Sequence, residues 1–161
     1  MGEMAWKSLE GTEQVTQQAD QRIPCFRCGV CCSRYRIRLS LVEARRIANG
    51  LGLAWNTFLD RYVEQLWPRA QDFFLRQRNG VCIFLEHGEG TKTTSCFIHS
   101  FKPAACLEWV PSLYRRECQE GLARHWGLTV GSSGELQGAA ERIEHFQLFL
   151  KSLAEGRCCA Y

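Results

Sequence analysis

The residues of this chain that could do chemistry are its cysteines, which number 10 among 161 residues. Four of them fall in one short motif, Cys25-x-x-Cys28-x-x-Cys31-Cys32. Two successive C-x-x-C steps allow a tight turn to bring several sulfurs onto one metal centre, and Gly29 permits the close backbone approach that such a turn needs. Zinc takes four ligands in a tetrahedron, and a [4Fe–4S] cluster takes four thiolates. The motif therefore predicts a metal centre held by cysteine thiolates.

Further cysteines follow along the chain, each on or beside a predicted element: Cys82, Cys96, Cys106 and Cys118. The two groups together make eight, the number for two four-thiolate sites, but the spacing does not assign each sulfur to a centre. Neighbouring side chains diverge by about 100° in a helix and about 180° in a strand. We therefore expect Cys31 and Cys32 to serve two centres, to bridge a polynuclear one, or to divide into a ligand and a core residue. Cys158 and Cys159 lie outside the set and are predicted to form an oxidation-prone tail.

The composition of the chain and its expected compartment favour metal binding by the cysteines over disulfide formation. Hydrophobic residues make up 45% of the sequence, so a core can form without covalent cross-links. The first 22 residues contain no signal-peptide pattern, and no apolar run is long enough to span a membrane. We therefore expect a cytoplasmic protein, in whose reducing surroundings cysteines serve as metal ligands, catalytic groups or core thiols.

The net charge and the sequence motifs limit the classes of partner that this protein is expected to bind. The formal net charge is +3, and eight metal-bound thiolates with their metals would bring it close to neutral. A clustered basic face for nucleic acid is therefore not indicated, and no membrane partner is expected. No phosphate loop, catalytic triad or HExxH pattern occurs. The expected partners are metal ions, with a protein partner or substrate left open, and the sequence does not decide whether the protein is an enzyme.

The sequence pattern predicts the helices and strands that must position these cysteines. Together they indicate a small single α+β domain, mostly helical, with one β-hairpin, organised around one or two metal centres. Ser40 and Glu43 form a capping box that opens a helix ending at Gly50. The Asn79-Gly80 dipeptide favours a type I′ turn between strands over 72–77 and 81–85. We divide the chain into a polar arm, a cysteine-cluster core, and a linker with a C-terminal helix, over 1–22, 23–130 and 131–161.

The remaining predicted elements are a strand over 33–39, a polar loop over 86–95, a linker over 129–138, and helices over 56–65, 103–110, 112–126 and 139–154. Trp67-Pro68 is predicted to end the first of these helices. Ser112 is predicted as the N-cap of the third, with Gly127 just past its end.

The cysteine motif, the Val-Cys-Ile-Phe-Leu segment over 81–85 and the block from Cys96 to Cys106 together resemble the YkgJ-type CxxCxxCC cysteine-cluster family. The resemblance covers about residues 25–128. It implies a zinc- or iron-chelating domain whose eight characteristic cysteines correspond to Cys25, Cys28, Cys31, Cys32, Cys82, Cys96, Cys106 and Cys118. His99 stands where the family usually has Tyr, and Lys102 stands where it usually has Arg. Lys102 cannot make the paired, bidentate hydrogen bonds that an Arg guanidinium makes.

Three functions remain open at this point. We favour an iron–sulfur cluster because the ligand set is all cysteine, closely spaced and contains an adjacent pair; such a cluster could transfer electrons, sense oxygen or activate a substrate for modification. The second is a structural zinc protein that acts through partner binding. The third is a metal-free thiol redox protein that uses Cys31-Cys32 or Cys28-x-x-Cys31 and has accessible thiols of low pKa.

Overall fold

The computed structural model of this chain describes residues 6–7, 13–14, 22–64, 73–88 and 93–156. These residues form six α-helices, one short 3-10 helix and several small antiparallel sheets, which confirms the predicted α+β class. The chain forms two compact units, each described below by itself. We call Cys31–Trp109 the middle unit, and Met1–Val30 with Val110–Tyr161 the terminal unit. None of the described helices combines the length and apolar content that crossing a bilayer requires.

The terminal unit contains one pair of two-residue strands near its start and a run of elements after Val110. The early pair is β1 (Trp6–Lys7) and β2 (Glu13–Gln14). In the middle unit the elements are α1 (Val30–Arg34, which begins one residue before the unit), β3 (Arg38–Leu39), α2 (Leu41–Gly50), α3 (Trp55–Tyr62), β4 (Val63–Glu64), β5 (Phe73–Leu75), β6 (Gln77–Arg78), β7 (Val81–Cys82), β8 (Leu85–His87), β9 (Thr94–Cys96), the 3-10 helix His99–Phe101 and α4 (Ala104–Leu107). The elements of the terminal unit after Val110 are α5 (Arg116–Trp126), β10 (Thr129–Val130), β11 (Leu136–Gln137) and α6 (Ala140–Ala154).

Helix α2 begins as its capping box predicts. The Glu43 amide donates to Ser40 Oγ at 3.2 Å, and the Ser40 amide donates back to the Glu43 carboxylate at 2.9 Å. The helix ends at Gly50, with Leu51 at the C-cap. Its face of Ala44, Ile47 and Ala48 is buried, so the helix stabilises the middle unit by packing as well as by capping.

The core of the middle unit gathers its buried residues from α2, α3 and the strands: Leu39, Ala44, Ile47, Ala48, Phe58, Val63, Leu75, Phe84 and Ile98. Tyr62 links two of them, because its ring stacks on Phe58 at 6.0 Å and on Phe84 at 5.0 Å between centroids. These aromatic contacts hold the strand-rich half of the unit, which carries Cys82 and Cys96, against the helices.

The predicted hairpin forms around its turn, but its strands are shorter than expected. Asn79 and Gly80 both have positive φ, 54° and 77°, as a type I′ turn requires. They join β6 to β7, with Gln77 opposite Cys82. The predicted strand over 81–85 is interrupted by a turn at Ile83-Phe84, and the Phe84 and Leu85 amides donate hydrogen bonds to the Cys82 sulfur there.

The prediction of a single hairpin is wrong, because the described residues contain five small antiparallel sheets. Strands β3, β5 and β4 form a three-stranded sheet in that order, and β8 pairs with β9 around the predicted polar loop. The predicted linker over 129–138 is itself a hairpin, β10 with β11, closed by a hydrogen bond from the Gly131 amide to the Glu135 carbonyl at 2.8 Å. Strands of two or three residues are too short to carry a readable alternation of polar and apolar side chains.

Several predicted boundaries shift for identifiable reasons. The strand over 33–39 shrinks to β3 because α1 continues to Arg34. The second helix ends at Tyr62, since Val63 is extended and pairs with Leu75; Trp67-Pro68 lies outside the described residues. The helix after Pro103 ends at Leu107, short of the predicted 110. Helix α6 starts one residue later than predicted.

Helix α5 does not use its predicted cap. It begins at Arg116 with Arg115 at the N-cap, whereas Ser112 pairs with Arg22 in an antiparallel bridge next to a bond from the Ile23 amide to the Pro111 carbonyl. Its end is as predicted, with Gly127 left-handed at φ 62°. Phe26 meets Phe146 of α6 edge-on at 5.4 Å in the core of this unit. That core comprises Ile23, Phe26, Leu113, Cys118, Leu122, Leu128, Phe146 and Leu150.

Candidate metal centre

The eight predicted ligands divide unequally between the two units. All eight are thiols. The middle unit holds Cys31, Cys32, Cys82, Cys96 and Cys106, and the terminal unit holds Cys25, Cys28 and Cys118. The Cys25–Cys32 motif is therefore shared between the units along the chain. Cys158 and Cys159 lie outside the described residues.

The five cysteines of the middle unit sit on four separate elements. Cys31 and Cys32 belong to α1, Cys82 ends β7, Cys96 ends β9 and Cys106 lies in α4. All five are partly exposed. No local motif could bring sulfurs from four elements together, so their grouping is a product of the tertiary fold of this unit.

The adjacent pair lies closer than side-chain divergence led us to expect. The Sγ atoms of Cys31 and Cys32 are 3.9 Å apart. At a zinc–sulfur distance of about 2.3 Å, the edge of a tetrahedron is about 3.8 Å, since the edge is about 1.6 times the bond length. The pair is therefore spaced as two ligands of one tetrahedral ion are spaced.

Opposing effects act on the thiol of Cys82. Burial raises the pKa of its thiol, while hydrogen bonds from the backbone amides of Phe84 and Leu85 act in the opposite direction by stabilising the thiolate. The charges of Cys96 and Cys31 raise the pKa further, and the net direction is upward. Amides two and three residues after a cysteine can thus stabilise the sulfur in its charged form, as outer-shell hydrogen bonds to metal ligands do.

The other thiols of the group repel one another electrostatically when ionised. Burial, followed by the charges of Cys82 and Cys96, raises the pKa of Cys106 to about 12, against a smaller lowering by Lys102. The pKa of Cys32 is raised first by its hydrogen bond with Cys31, then by burial, then by the charges of Cys31, Cys82 and Cys106. Raised pKa values favour the neutral thiols of Cys32, Cys82 and Cys106, and a bound cation would favour their thiolates.

The three cysteines of the terminal unit differ in exposure. Cys25 is exposed, whereas Cys118 is 5% exposed and belongs to the core. Cys28 packs on α5, because a Cβ added at Gly121 would lie 2.5 Å from the Cys28 sulfur. Gly121 is three residues after Cys118 and so lies on the same side of the helix. Cys28 thus packs on α5 beside Gly121, one turn after the residue that carries the Cys118 thiol.

Two charged side chains near the middle-unit cysteines escaped the sequence analysis as functional candidates. Glu43 was recognised only as a capping residue, yet its carboxylate also accepts the Ala104 amide at 2.7 Å, two residues from Cys106. Lys102 was noted only as a departure from the family, yet its charge favours the thiolate form of Cys106. His99, whose role was left open, is exposed in the 3-10 helix. No local pattern links residue 43 to residue 104, so only the long-range contact could reveal it.

The cysteine thiols are the kind of donor that soft metal ions bind, although their sulfurs are not spaced as they would be around a bound ion. Over the described ranges, no group of three or more His, Cys, Asp or Glu side chains is placed so as to hold a metal ion. What fits a metal is the nature of the donors: several thiols on one unit, an adjacent pair at tetrahedral spacing, and amides directed at a sulfur. Zinc and iron are among the first-row metals that such sulfur-rich donor sets bind, together with Cu(I).

These features define a class, a small α+β domain that groups cysteine thiols from several elements. Comparison with protein-family models assigns the chain more narrowly: it belongs to the CxxCxxCC family, described as "Putative zinc- or iron-chelating domain", whose model matches residues 24–122. The match covers more than half of the chain and includes all eight cysteines discussed above. No curated protein and no solved structure matches the chain in the comparisons made.

Proposed function

We propose that this protein binds zinc or iron through cysteine thiolates, with the five cysteines of the middle unit forming the principal centre. The observation that carries the proposal is the presence in one unit of thiols from α1, β7, β9 and α4, among them an adjacent pair with sulfurs 3.9 Å apart. Buried like charges are costly, and a divalent cation offsets that cost by binding the thiolates directly. Membership of a chelating family supports the same conclusion.

The spacing of Cys31 and Cys32 supports a mononuclear ion. Two sulfurs 3.9 Å apart suit two corners of one tetrahedron. In a [4Fe–4S] cluster each thiolate binds a different iron, so an adjacent pair at this spacing is less suited to it, whereas a [2Fe–2S] cluster places two thiolates on each iron and stays compatible with the spacing. We therefore place tetrahedral zinc or iron ahead of the iron–sulfur cluster favoured from the sequence.

The number of thiols keeps an iron–sulfur or polynuclear centre as the second candidate. Five cysteines in one unit exceed the four positions of a single tetrahedral ion. A centre with more than one metal atom would use the fifth sulfur as a further terminal or bridging ligand. We propose Cys25, Cys28 and Cys118 as further metal ligands within the terminal unit, supported by the packing of Cys28 on α5 near Cys118.

The same thiols argue against a metal-free redox role. A redox thiol reacts as the thiolate and needs a lowered pKa. The pKa values of Cys32, Cys82 and Cys106 are all raised, chiefly by burial and by neighbouring thiols. The proposal is that these cysteines act as ligands in a reducing compartment, the cytoplasm, where thiols persist.

The deciding experiment is anaerobic purification of the full chain followed by elemental analysis, sulfide assay and a visible spectrum. Zinc or iron without acid-labile sulfide supports the mononuclear centre, whereas iron with sulfide and a broad visible absorption supports the cluster. Protein that carries neither metal, and that gains none from added Zn²⁺ or Fe²⁺ under reducing conditions, contradicts metal binding altogether. The double variant Cys158→Ser/Cys159→Ser is the matched control, because it removes two cysteines outside the proposed set.

A further inference from the structure

Helix α2 carries no cysteine, yet one of its faces contacts the segment that leads into Cys106. Glu43, Arg46 and Gly50 follow at intervals of three and four residues and therefore lie along one side of the helix. Each contacts a different residue between the 3-10 helix and α4. The segment from Phe101 to Ala104 is thus attached along the length of α2.

Each of the three contacts is specific. The Glu43 carboxylate accepts the Ala104 amide at 2.7 Å, and the Arg46 guanidinium donates to the Lys102 carbonyl at 2.7 Å. The ring of Phe101 lies where a side chain on Gly50 would be, since an added Cβ would come within 2.8 Å of it. Two hydrogen bonds to backbone groups and one close packing contact leave this segment little freedom to shift along the helix.

The bond to Ala104 acts directly on the element that holds Cys106. Ala104 is the first residue of α4, and Pro103 at its N-cap makes no side-chain capping bond. An amide at that position has no partner within its own helix, so the Glu43 carboxylate supplies one from another element. The Cys106 amide in turn donates to the Pro103 carbonyl at 3.0 Å. The position of the Cys106 backbone therefore depends on residues 103 and 104.

We propose that Glu43 is a positioning residue for the Cys106 ligand: it holds the start of α4 so that the Cys106 sulfur faces the other thiols of the middle unit. The inference rests on the proposed metal-binding function. It assigns to the capping-box carboxylate a second role in metal affinity. Outer-shell groups that orient ligands commonly contribute about 10–100-fold to metal affinity, and the effect of Glu43 is expected at the lower end because it acts through the backbone.

The test compares three variants of the full chain. Glu43→Ala removes the carboxylate that accepts the Ser40 amide in the capping box and the Ala104 amide, and it leaves the bond from the residue 43 amide to Ser40 Oγ. Glu43→Gln keeps a carbonyl oxygen that can accept the Ala104 amide. Ser40→Ala is the matched control, since it removes the Ser40 hydroxyl from the same capping box and leaves the contact between Glu43 and Ala104 in place. If Glu43→Ala fails to fold, Glu43→Asp replaces it, because the shorter side chain keeps the charge near α2 and draws the carboxylate back from Ala104.

Two measurements are made on each variant: Zn²⁺ affinity by competition with a colorimetric chelator, and the visible spectrum after loading with Co²⁺. We expect Glu43→Ala to weaken Zn²⁺ binding on the order of tenfold and to alter the Co²⁺ ligand-field bands. The Zn²⁺ affinity and the Co²⁺ spectrum of Glu43→Gln and Ser40→Ala should stay near those of the wild type. Faster hydrogen exchange of the Ala104 amide in Glu43→Ala alone gives a readout that is independent of metal.

The outcomes separate this inference from the function on which it rests. Wild-type affinity and Co²⁺ spectrum in Glu43→Ala, with metal bound normally, overturn the positioning role and leave metal binding standing. An equal loss in Ser40→Ala also overturns it, because the effect would then follow the stability of α2. Wild-type protein that binds neither Zn²⁺ nor Co²⁺ overturns both proposals.

Discussion

The sulfur of Cys28 occupies space that only a glycine at position 121 leaves open. A Cβ at residue 121 would approach the Cys28 sulfur to 2.5 Å and its Cβ to 2.6 Å. Both distances are far inside van der Waals contact, and the second involves an atom fixed to the backbone. The contact holds the second cysteine of the motif against the helix that carries Cys118, and it makes Gly121 a residue on which the arrangement of these cysteines depends.

Gly121→Ala should therefore destabilise the protein, although replacing glycine by alanine within a helix is ordinarily stabilising. Alanine gains about 1 kcal/mol over glycine by helix propensity, whereas overpacking of a buried contact costs about 1–3 kcal/mol. We expect a net loss of stability, measured by urea unfolding of the wild type and the variant. Ala123→Gly, at an exposed position of the same helix, measures propensity alone and should cost about 1 kcal/mol. A variant Gly121→Ala that is more stable than wild type would contradict the close contact.

Cys82, Cys96 and Cys106 should supply the remaining ligands of the centre in the middle unit. Replacing any of them by Ser exchanges a soft thiolate for a hydroxyl that binds zinc and iron poorly. A tetrahedral ion bound by Cys31 and Cys32 has two positions left, so we expect at least two of the three variants to lose metal in elemental analysis, and all three if the centre is polynuclear, at matched protein concentration and folding by circular dichroism. Cys158→Ser should retain the wild-type metal content. A Cys106→Ser variant with full metal content would remove that residue from the ligand set.

Metal removal should lower stability. A ligand that binds only the folded state adds about 2.7 kcal/mol at a free concentration of about 100 Kd. Urea unfolding after dialysis against a chelator, compared with the same protein reloaded with Zn²⁺, should show the difference as a shift in midpoint. Superimposable curves in a protein shown to contain metal would mean that the metal adds no folding energy.

The Glu43 carboxylate should make stability depend on acid pH. Hydrogen bonds from the Ser40 and Ala104 amides lower its pKa in the folded state. Its folded pKa lies below its unfolded pKa, so its contribution is complete above the unfolded value and is lost as the pH falls through the folded value. Between those two values the unfolded state binds more protons, so stability rises with pH.

The measurement is urea unfolding at a series of pH values from neutral to strongly acidic, for the wild type and Glu43→Gln. The difference between the two should be largest above the ordinary glutamate range and should shrink as the pH falls. A difference that is constant over the whole series would show that the charge of Glu43 contributes nothing.

The features that the sequence determined by itself are local. The Ser40 to Glu43 capping box, the Asn79-Gly80 turn and the end of α5 at Gly127 all formed as predicted, because each depends on the backbone preferences and hydrogen bonds of a few neighbouring residues. The dense cysteine motif likewise predicted a chelating domain, since its spacing reflects the needs of a metal centre, and the family assignment agrees.

The tertiary structure alone decided how those local features combine. It assigned five cysteines to one unit and three to the other, built small sheets from strands too short to recognise, and used Ser112 in a bridge instead of a helix cap. It also joined Glu43 to Ala104 across 61 positions of the chain. Such pairings depend on which buried surfaces pack together, and the free energy of packing is shared among residues far apart in sequence. No local pattern contains that information, so the partners of these residues became visible only in the folded chain.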